Sequence, residues 1–324
     1  DGVRVGLLLS ASAGNDILFD EELCNQGKGF SNKIWNAFKL IKGWEVADIA
    51  QPESSKVAIE WYEAKLQQTL AEIEDNFDKY RLSVALMAIY KLVWDDFCSW
   101  YLEMVNPEYG SQISEKAYAQ TINFFERLMQ LAHPFMPFIT EEIWFTLRER
   151  NEKDSICIST YPTVADYDKT LTAQGATAFE IITAIREIRA KAQKKNHETV
   201  NCYYKIGENG NDGEFIAFKE IIAKLAKLND FEKLEKQDIG YTRNAVVKAF
   251  ELLVETGEVE VAIDVETLKK ELEYTEGFLA SVDKKLTNER FMANAKPDVI
   301  ANEQKKRDDA MQKIKALKES IGAN

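Results

Sequence analysis

A chain of 324 residues exceeds the length at which one hydrophobic core usually keeps growing, so two or three domains are expected. Apolar residues make up 45% and charged residues 29%. No apolar run reaches the roughly 20 residues of a bilayer-spanning helix, and a formal charge of −13 argues against a non-specific polyanion binder.

That charge is unevenly spread. Residues 264–324 hold 12 basic and 12 acidic side chains, so the other 263 residues carry 29 against 42 and the whole −13. The neutral tail is the less repulsive surface for a polyanion. The N-terminus lacks the basic, apolar and small-residue pattern of a signal peptide. Its residues Asp1 to Leu9 carry no initiator Met and begin inside an apolar stretch, so the sequence is read as starting part-way along a longer chain. Cys24, Cys98, Cys157 and Cys202 form no CxxC pair, and His133 and His197 are the two histidines. Zinc-ligand spacing is absent from the sequence, no metal site is expected, and the thiols are expected to be reduced and mostly buried.

Residues 1–154 read as a helical bundle. Asp20 N-caps a helix whose first turn carries Glu21 and Glu22, favourable at the positive end of the dipole. Leu23, Phe30, Ile34, Phe38 and Ile41 make one apolar face, and Gly43 ends it. A second helix is expected over 53–77, burying Val57, Trp61, Ala64 and Leu66. A third covers 79–104, burying Leu82, Leu86, Ile89, Val93, Phe97 and Trp100, and closes at Asn106-Pro107. A fourth runs from 114 to 133 and stops at His133-Pro134; Thr140-Glu141-Glu142 caps and opens the next.

Residues 155–263 change texture and read as a small α+β domain. Ile156-Cys157-Ile158 is a strand candidate, a helix covers 174–194, Thr199–Ile206 alternates like a strand, and a helix follows over 214–228. Ala245–Val254 and Glu258–Ile263 read as a hairpin turning at Thr256-Gly257. From 264 the period changes again. Val265, Leu268, Leu272, Thr275, Leu279, Val282 and Leu286 follow the three–four spacing of a heptad seam, which resumes at Ile314, Leu317 and Ile321 after a break at Pro297. Glu303 and Arg307 dilute the first half of the second helix. The expectation is an antiparallel coiled-coil arm about 30 Å long at 1.5 Å per residue. The fold class is therefore mainly α: a helical bundle, an α+β junction domain and a coiled-coil hairpin.

No phosphate-binding loop of the form GxxxxGK[ST] occurs, and Gly27-Lys28-Gly29 sits inside a helical pattern without the third glycine of a dinucleotide loop. His133 has no nucleophile or carboxylate motif beside it and reads as structural. On residues alone the chain is a binding or scaffold protein.

The blocks Ala13-Gly14-Asn15-Asp16-Ile17-Leu18-Phe19-Asp20 and Gly29-Phe30-Ser31-Asn32-Lys33-Ile34-Trp35-Asn36-Ala37 resemble the GQDI-x-FDE and RNF-x-NKLWNA segments of class I valyl-tRNA synthetases. His133 to Trp144 is similar to that family's HPFMPFITEELW, and Trp94 to Glu103 to its W-x-x-FCDWYLE. Leucyl and isoleucyl enzymes share the blocks within 13–37 and 131–144 more loosely. Leu286-Thr287-Asn288-Glu289-Arg290-Phe291 with Ala293-Asn294-Ala295-Lys296-Pro297 and Val299 resembles the terminal arm of the valyl branch. The segment Ala190–His197 departs from the family pattern, and nothing is carried over there.

The resemblance implies that the bundle is an anticodon-binding domain and the hairpin an arm against the outer corner of tRNA(Val). It places the catalytic loops, the ATP, Mg and valine sites and the editing domain upstream. This chain is expected to hold no catalytic residue and no cofactor, to be inactive alone as part of a cytoplasmic valine-tRNA ligase, and to be monomeric without a membrane partner. On the helix over 21–42, Lys28, Asn32 and Asn36 recur at four-residue steps. With Lys33 they are the anticodon-binding candidates, although Lys28 stands where the family has Arg. In the arm, Lys284, Lys285, Arg290, Lys296, Lys305 and Lys306 cluster near the hairpin loop as elbow-binding candidates. Phe291 is read as a plug for the hairpin tip. The competing readings are a noncatalytic interaction scaffold and the equivalent region of an isoleucyl or leucyl enzyme.

Overall fold

Helix α1 (Gly2–Ser10) crosses the first turns of α2 (Glu21–Lys42) at backbone contact. A β-carbon on Gly6 would fall 2.7 Å from the Cys24 amide nitrogen, and one on Gly27 would fall 2.5 Å from the Gly2 carbonyl oxygen. Close helix packing therefore accounts for Gly27, which sits in no nucleotide loop. The computed structural model describes residues 1–10, 19–207, 210–234, 241–257, 265–288 and 297–322. Two units result, Asp1–Gly257 and Glu258–Asn324. The motif residues Ala13–Leu18 and the strand expected at Glu258–Ile263 lie outside the described residues.

In the first unit Asp20 caps α2, its carboxylate accepting from the Glu22 amide at 2.8 Å. Helix α3 (Glu53–Asp78) follows Pro52. Helix α4 (Leu82–Lys91) continues through a π-helical stretch, Leu92–Tyr101, into α5 (Leu102–Val105), and Asn106 closes it. In the π stretch the Leu102 amide donates to the carbonyl five residues back, at Phe97, and the Ser99 hydroxyl donates to the Trp94 carbonyl at 2.9 Å. Helix α6 (Glu115–Ala132) starts on a Ser114 cap and α7 (Pro137–Leu147) on a proline. The helices close on an aromatic core in which the Tyr62 ring meets Phe97, Tyr101 and Phe124 at 4.9–5.3 Å between centroids. The Tyr101 hydroxyl donates to Thr121 Oγ1 at 2.8 Å, because Thr121 commits its own proton to the Ala117 carbonyl.

The core runs without interruption into the α+β part. Helix α8 (Lys169–Lys191), capped by Asp168, lays Phe179 on Trp100 (4.0 Å, rings 8° apart) and edge-on to Trp61 at 4.9 Å. Strands β1 (Val46–Ala47) and β2 (Ile113–Ser114) form a two-residue parallel pair beside the bundle. The larger sheet has the order β4-β3-β6-β5, from β3 (Val200–Ile206), β4 (Leu228–Lys233), β5 (Thr242–Val247) and β6 (Phe250–Glu255). Helix α9 (Lys219–Ala226) makes the crossover that the parallel β3–β4 pair requires.

Five expectations fail here for local reasons. Ile156–Ile158 is a 3-10 turn, with the Ser155 hydroxyl accepting from the Cys157 amide. The hairpin turns at Lys248-Ala249 inside the segment read as one strand; Lys248 takes φ +50 and β5 pairs with β6 on either side. Thr140 caps nothing, because Pro137 already opens α7, and its hydroxyl donates back to the Met136 carbonyl at 2.7 Å. Leu82 opens α4 and is 45% exposed. Cys157 is exposed, whereas Cys202 is buried and Cys24 and Cys98 lie between; none forms a disulfide.

The second unit consists of α10 (Val265–Leu286) and α11 (Pro297–Gly322). Lys285 pairs with Glu303 and Lys318 with Glu276, so residue numbers rise on one helix as they fall on the other, and the hairpin is antiparallel. Thr275 and Val282 on α10 and Glu303 and Ala310 on α11 are buried. The side chains of Val265, Leu268, Leu317 and Ile321 lie outside the described residues. No helix among the described residues is long and apolar enough to cross a membrane.

Candidate nucleic-acid interface

Single-stranded bases are held by stacking on aromatic faces, by hydrogen bonds to their edges and by cations on the phosphates. The outward side of α2 supplies the last two. Lys28, Asn32 and Asn36 are all exposed along one line, one step round from the buried Phe30, Ile34 and Phe38. Lys33 is half-buried and leans the other way, its ammonium 5.3 Å from the centre of the Trp94 ring. Trp94 stacks on Tyr90 at 5.4 Å with rings 13° apart, and Tyr90 in turn meets the buried Phe30 at 4.7 Å. A half-exposed aromatic ladder thus runs from the core to the surface and ends under a lysine.

Sequence spacing does not single out Tyr90 or Trp94 as interface candidates. Trp94 belongs to a family-like motif, but its place beside Lys33, 61 positions earlier, comes from packing of the π-helical stretch Leu92–Tyr101 against α2. Cys98 lies close below: burial pushes its thiol up to about 12, with the Lys33 charge pulling the other way. It is a neutral packing group rather than a nucleophile. Tyr80, 83% exposed and at φ +55 in the corner between α3 and α4, is a second outward aromatic with no sequence signal beyond its neighbouring helix end.

In the arm the four candidate cations among the described residues separate into two pairs. Lys306 donates to the Glu303 carboxylate at 2.7 Å and Lys285 lies 3.7 Å from its other oxygen. Glu303 is only 7% exposed, and the Lys306 hydrogen bond holds its carboxyl below the ordinary range. Lys284 and Lys305 are exposed on the outer flanks. Arg290 and Lys296, like Phe291, lie outside the described residues.

Comparison with known proteins resolves what these two surfaces belong to. Residues 60–204 match the anticodon-binding domain of tRNA ligase, and residues 260–323 match the valyl tRNA synthetase tRNA binding arm. The chain carries the anticodon-binding domain and the tRNA-binding arm of the valyl-tRNA synthetase family. Valine–tRNA ligase of Christiangramia forsetii is 45% identical over 99% of the chain, and that of Parabacteroides distasonis 46% identical over 100%. The Enterococcus faecalis enzyme is 29% identical over 99%. The chain spans about 36% of the length of the first two relatives. Tyr90 and Trp94 fall within the anticodon-binding match, whereas Lys28, Asn32, Lys33 and Asn36 precede its first residue.

Proposed function

We propose that this chain is the tRNA-positioning part of a cytoplasmic valine–tRNA ligase. It holds tRNA(Val) at the anticodon through the bundle and at the elbow through the arm, while segments outside this chain attach valine with ATP and Mg. No cofactor is assigned to the chain itself. The observation carrying this reading is the succession of an anticodon-binding match and a tRNA-binding-arm match in one chain, with valine–tRNA ligases similar along its whole length. Within the bundle, Lys28, Asn32 and Asn36 serve phosphates and base edges, and Trp94 with Lys33 takes a stacked base. In the arm, Lys284 and Lys305 meet phosphates directly, and Lys285 and Lys306 do so as a pair balanced by Glu303.

The test is binding of the chain to valine tRNA and to a leucine tRNA across a salt series. Salt-sensitive preference for valine tRNA, lost when its anticodon is changed, is the expected result. Equal affinity for both would confine the chain to reading the shape of tRNA. Binding to neither would overturn the assignment for the chain alone.

A further inference from the structure

The geometry points to a binding site for a zinc-class divalent metal ion formed by His133, Glu141 and Cys157. A ring nitrogen of His133, a carboxylate oxygen of Glu141 and the Cys157 sulfur all lie within 4.8 Å of one another. Three separate pieces of chain deliver them: the end of α6, the middle of α7 and the 3-10 turn at 156–158. Sequence spacing gave no sign of the group, because the residues stand 8 and 16 positions apart in no recognised ligand pattern.

The hydrogen bonding around His133 prepares one nitrogen for a metal. Thr140 Oγ1 lies 2.7 Å from Nδ1 and commits its single proton to the Met136 carbonyl at 2.7 Å. It therefore accepts from His133, which fixes the proton on Nδ1 and leaves the lone pair on Nε2. That nitrogen faces Cys157 Sγ at 3.0 Å. A metal-ligating imidazole needs this arrangement, its second nitrogen held by a donor–acceptor partner. Glu141 Oε2 is buried and accepts no hydrogen bond, a state that costs free energy unless a cation or donor arrives.

Zinc bonded to nitrogen and oxygen at about 2.0–2.2 Å and to sulfur at about 2.3 Å places its ligands some 3–4 Å apart. The three side chains need only small rotations to reach that spacing. A thiolate and an imidazole select zinc-class ions over magnesium or calcium. Cys157 is exposed, so water completes the fourth position. Binding displaces the Cys157 thiol proton to solvent. The ion ties the α6–α7 corner to the segment that leaves the bundle.

The experiment titrates the tag-free 324-residue chain, stripped of metal, with Co²⁺ and then with Zn²⁺. One equivalent of Co²⁺ is expected to produce a thiolate charge-transfer band with tetrahedral visible bands, and Zn²⁺ to erase both. Cys157→Ser should remove the charge-transfer band and lower Zn²⁺ affinity at least about a hundredfold. Thr140→Val, which keeps shape but frees Nδ1, should lower it by about 10–100-fold while circular dichroism stays unchanged. A folded chain without the thiolate band, or a band of equal intensity in Cys157→Ser, would overturn the site. Should Cys157→Ser fail to fold, alkylation of Cys157 in the unsubstituted chain decides. Zn²⁺ is expected to slow it at least tenfold, and equal rates with and without Zn²⁺ reject the proposal.

Discussion

Gly175 on α8 lies against the edge of the Trp61 indole so closely that a β-carbon there would fall 2.4 Å from Nε1. Trp61 is buried and packs edge-on to Phe179. It is a rigid ring that cannot swing aside without opening the seam between the bundle and α8. Gly175→Ala is therefore expected to destabilise the first unit by about 1–3 kcal/mol, as overpacking does, despite raising helix propensity. Denaturant melts followed by tryptophan fluorescence check this, and an unchanged or raised midpoint would show that the seam yields.

The elements that could be read from the sequence are those whose pattern is local. Helix α2 has a cap, an acidic first turn and an apolar face within 22 residues, and its observed span follows them. The hairpin turns at Lys248-Ala249 although Thr256-Gly257 has the turn chemistry and Lys248-Ala249 has none. Pairing between Thr242–Val247 and Phe250–Glu255 forces Lys248 into a left-handed conformation that its own preferences disfavour. The strand at Leu228–Lys233 escaped for a similar reason: its period is set by the Val200–Ile206 neighbour rather than by alternation of its own residues. For the interface, exposed Lys28, Asn32 and Asn36 were legible from helical spacing, whereas the juxtaposition of Lys33 with Trp94 was not. Contacts between residues 61 apart are a property of packing.

Asp96 offers a pH test of the bundle's polar edge. Burial holds its carboxyl up at about 6, and Lys65 at 3.8 Å only partly offsets that. A carboxyl whose folded pKa exceeds its unfolded value binds more proton in the folded state. Its contribution to stability is therefore largest below about 3.8 and declines as pH rises to about 6. Asp96→Asn keeps the shape and removes the charge, so it should stabilise the chain by roughly 1–2 kcal/mol at pH 8 and by almost nothing at pH 4. Thermal melts of both proteins at the two pH values make the comparison. An equal gap at both values would mean that Asp96 stays charged at little cost.

The ladder at Trp94 separates stacking from charge. Trp94→Leu should weaken binding of valine tRNA by about 1–3 kcal/mol, the worth of one stacked base, and leave the salt slope alone. Lys33→Gln should lower the slope by about one if its ammonium moves to a phosphate when the base arrives. Titrations at several salt concentrations read both quantities from one data set. Loss of slope in Trp94→Leu, or no loss of affinity, would remove Trp94 from the interface.

Glu303 is the lever in the arm. It occupies a seam position where a heptad calls for an apolar side chain, and it is kept there by Lys306 at 2.7 Å and Lys285 at 3.7 Å. Its charge subtracts from the two lysines that face solvent at the same level. Glu303→Gln keeps the side chain's shape and its capacity to accept a hydrogen bond, but it returns the local charge to that of the lysines. Valine tRNA should then bind more tightly at low salt and with a steeper salt slope, because each additional phosphate neutralised releases counterions. Removing Lys284 and Lys305, which have no such counter-charge among the described residues, should flatten the slope instead. Opposite signs in these two variants locate the phosphate-contacting face on this end of the hairpin; the same sign in both would place the tRNA elsewhere on the chain.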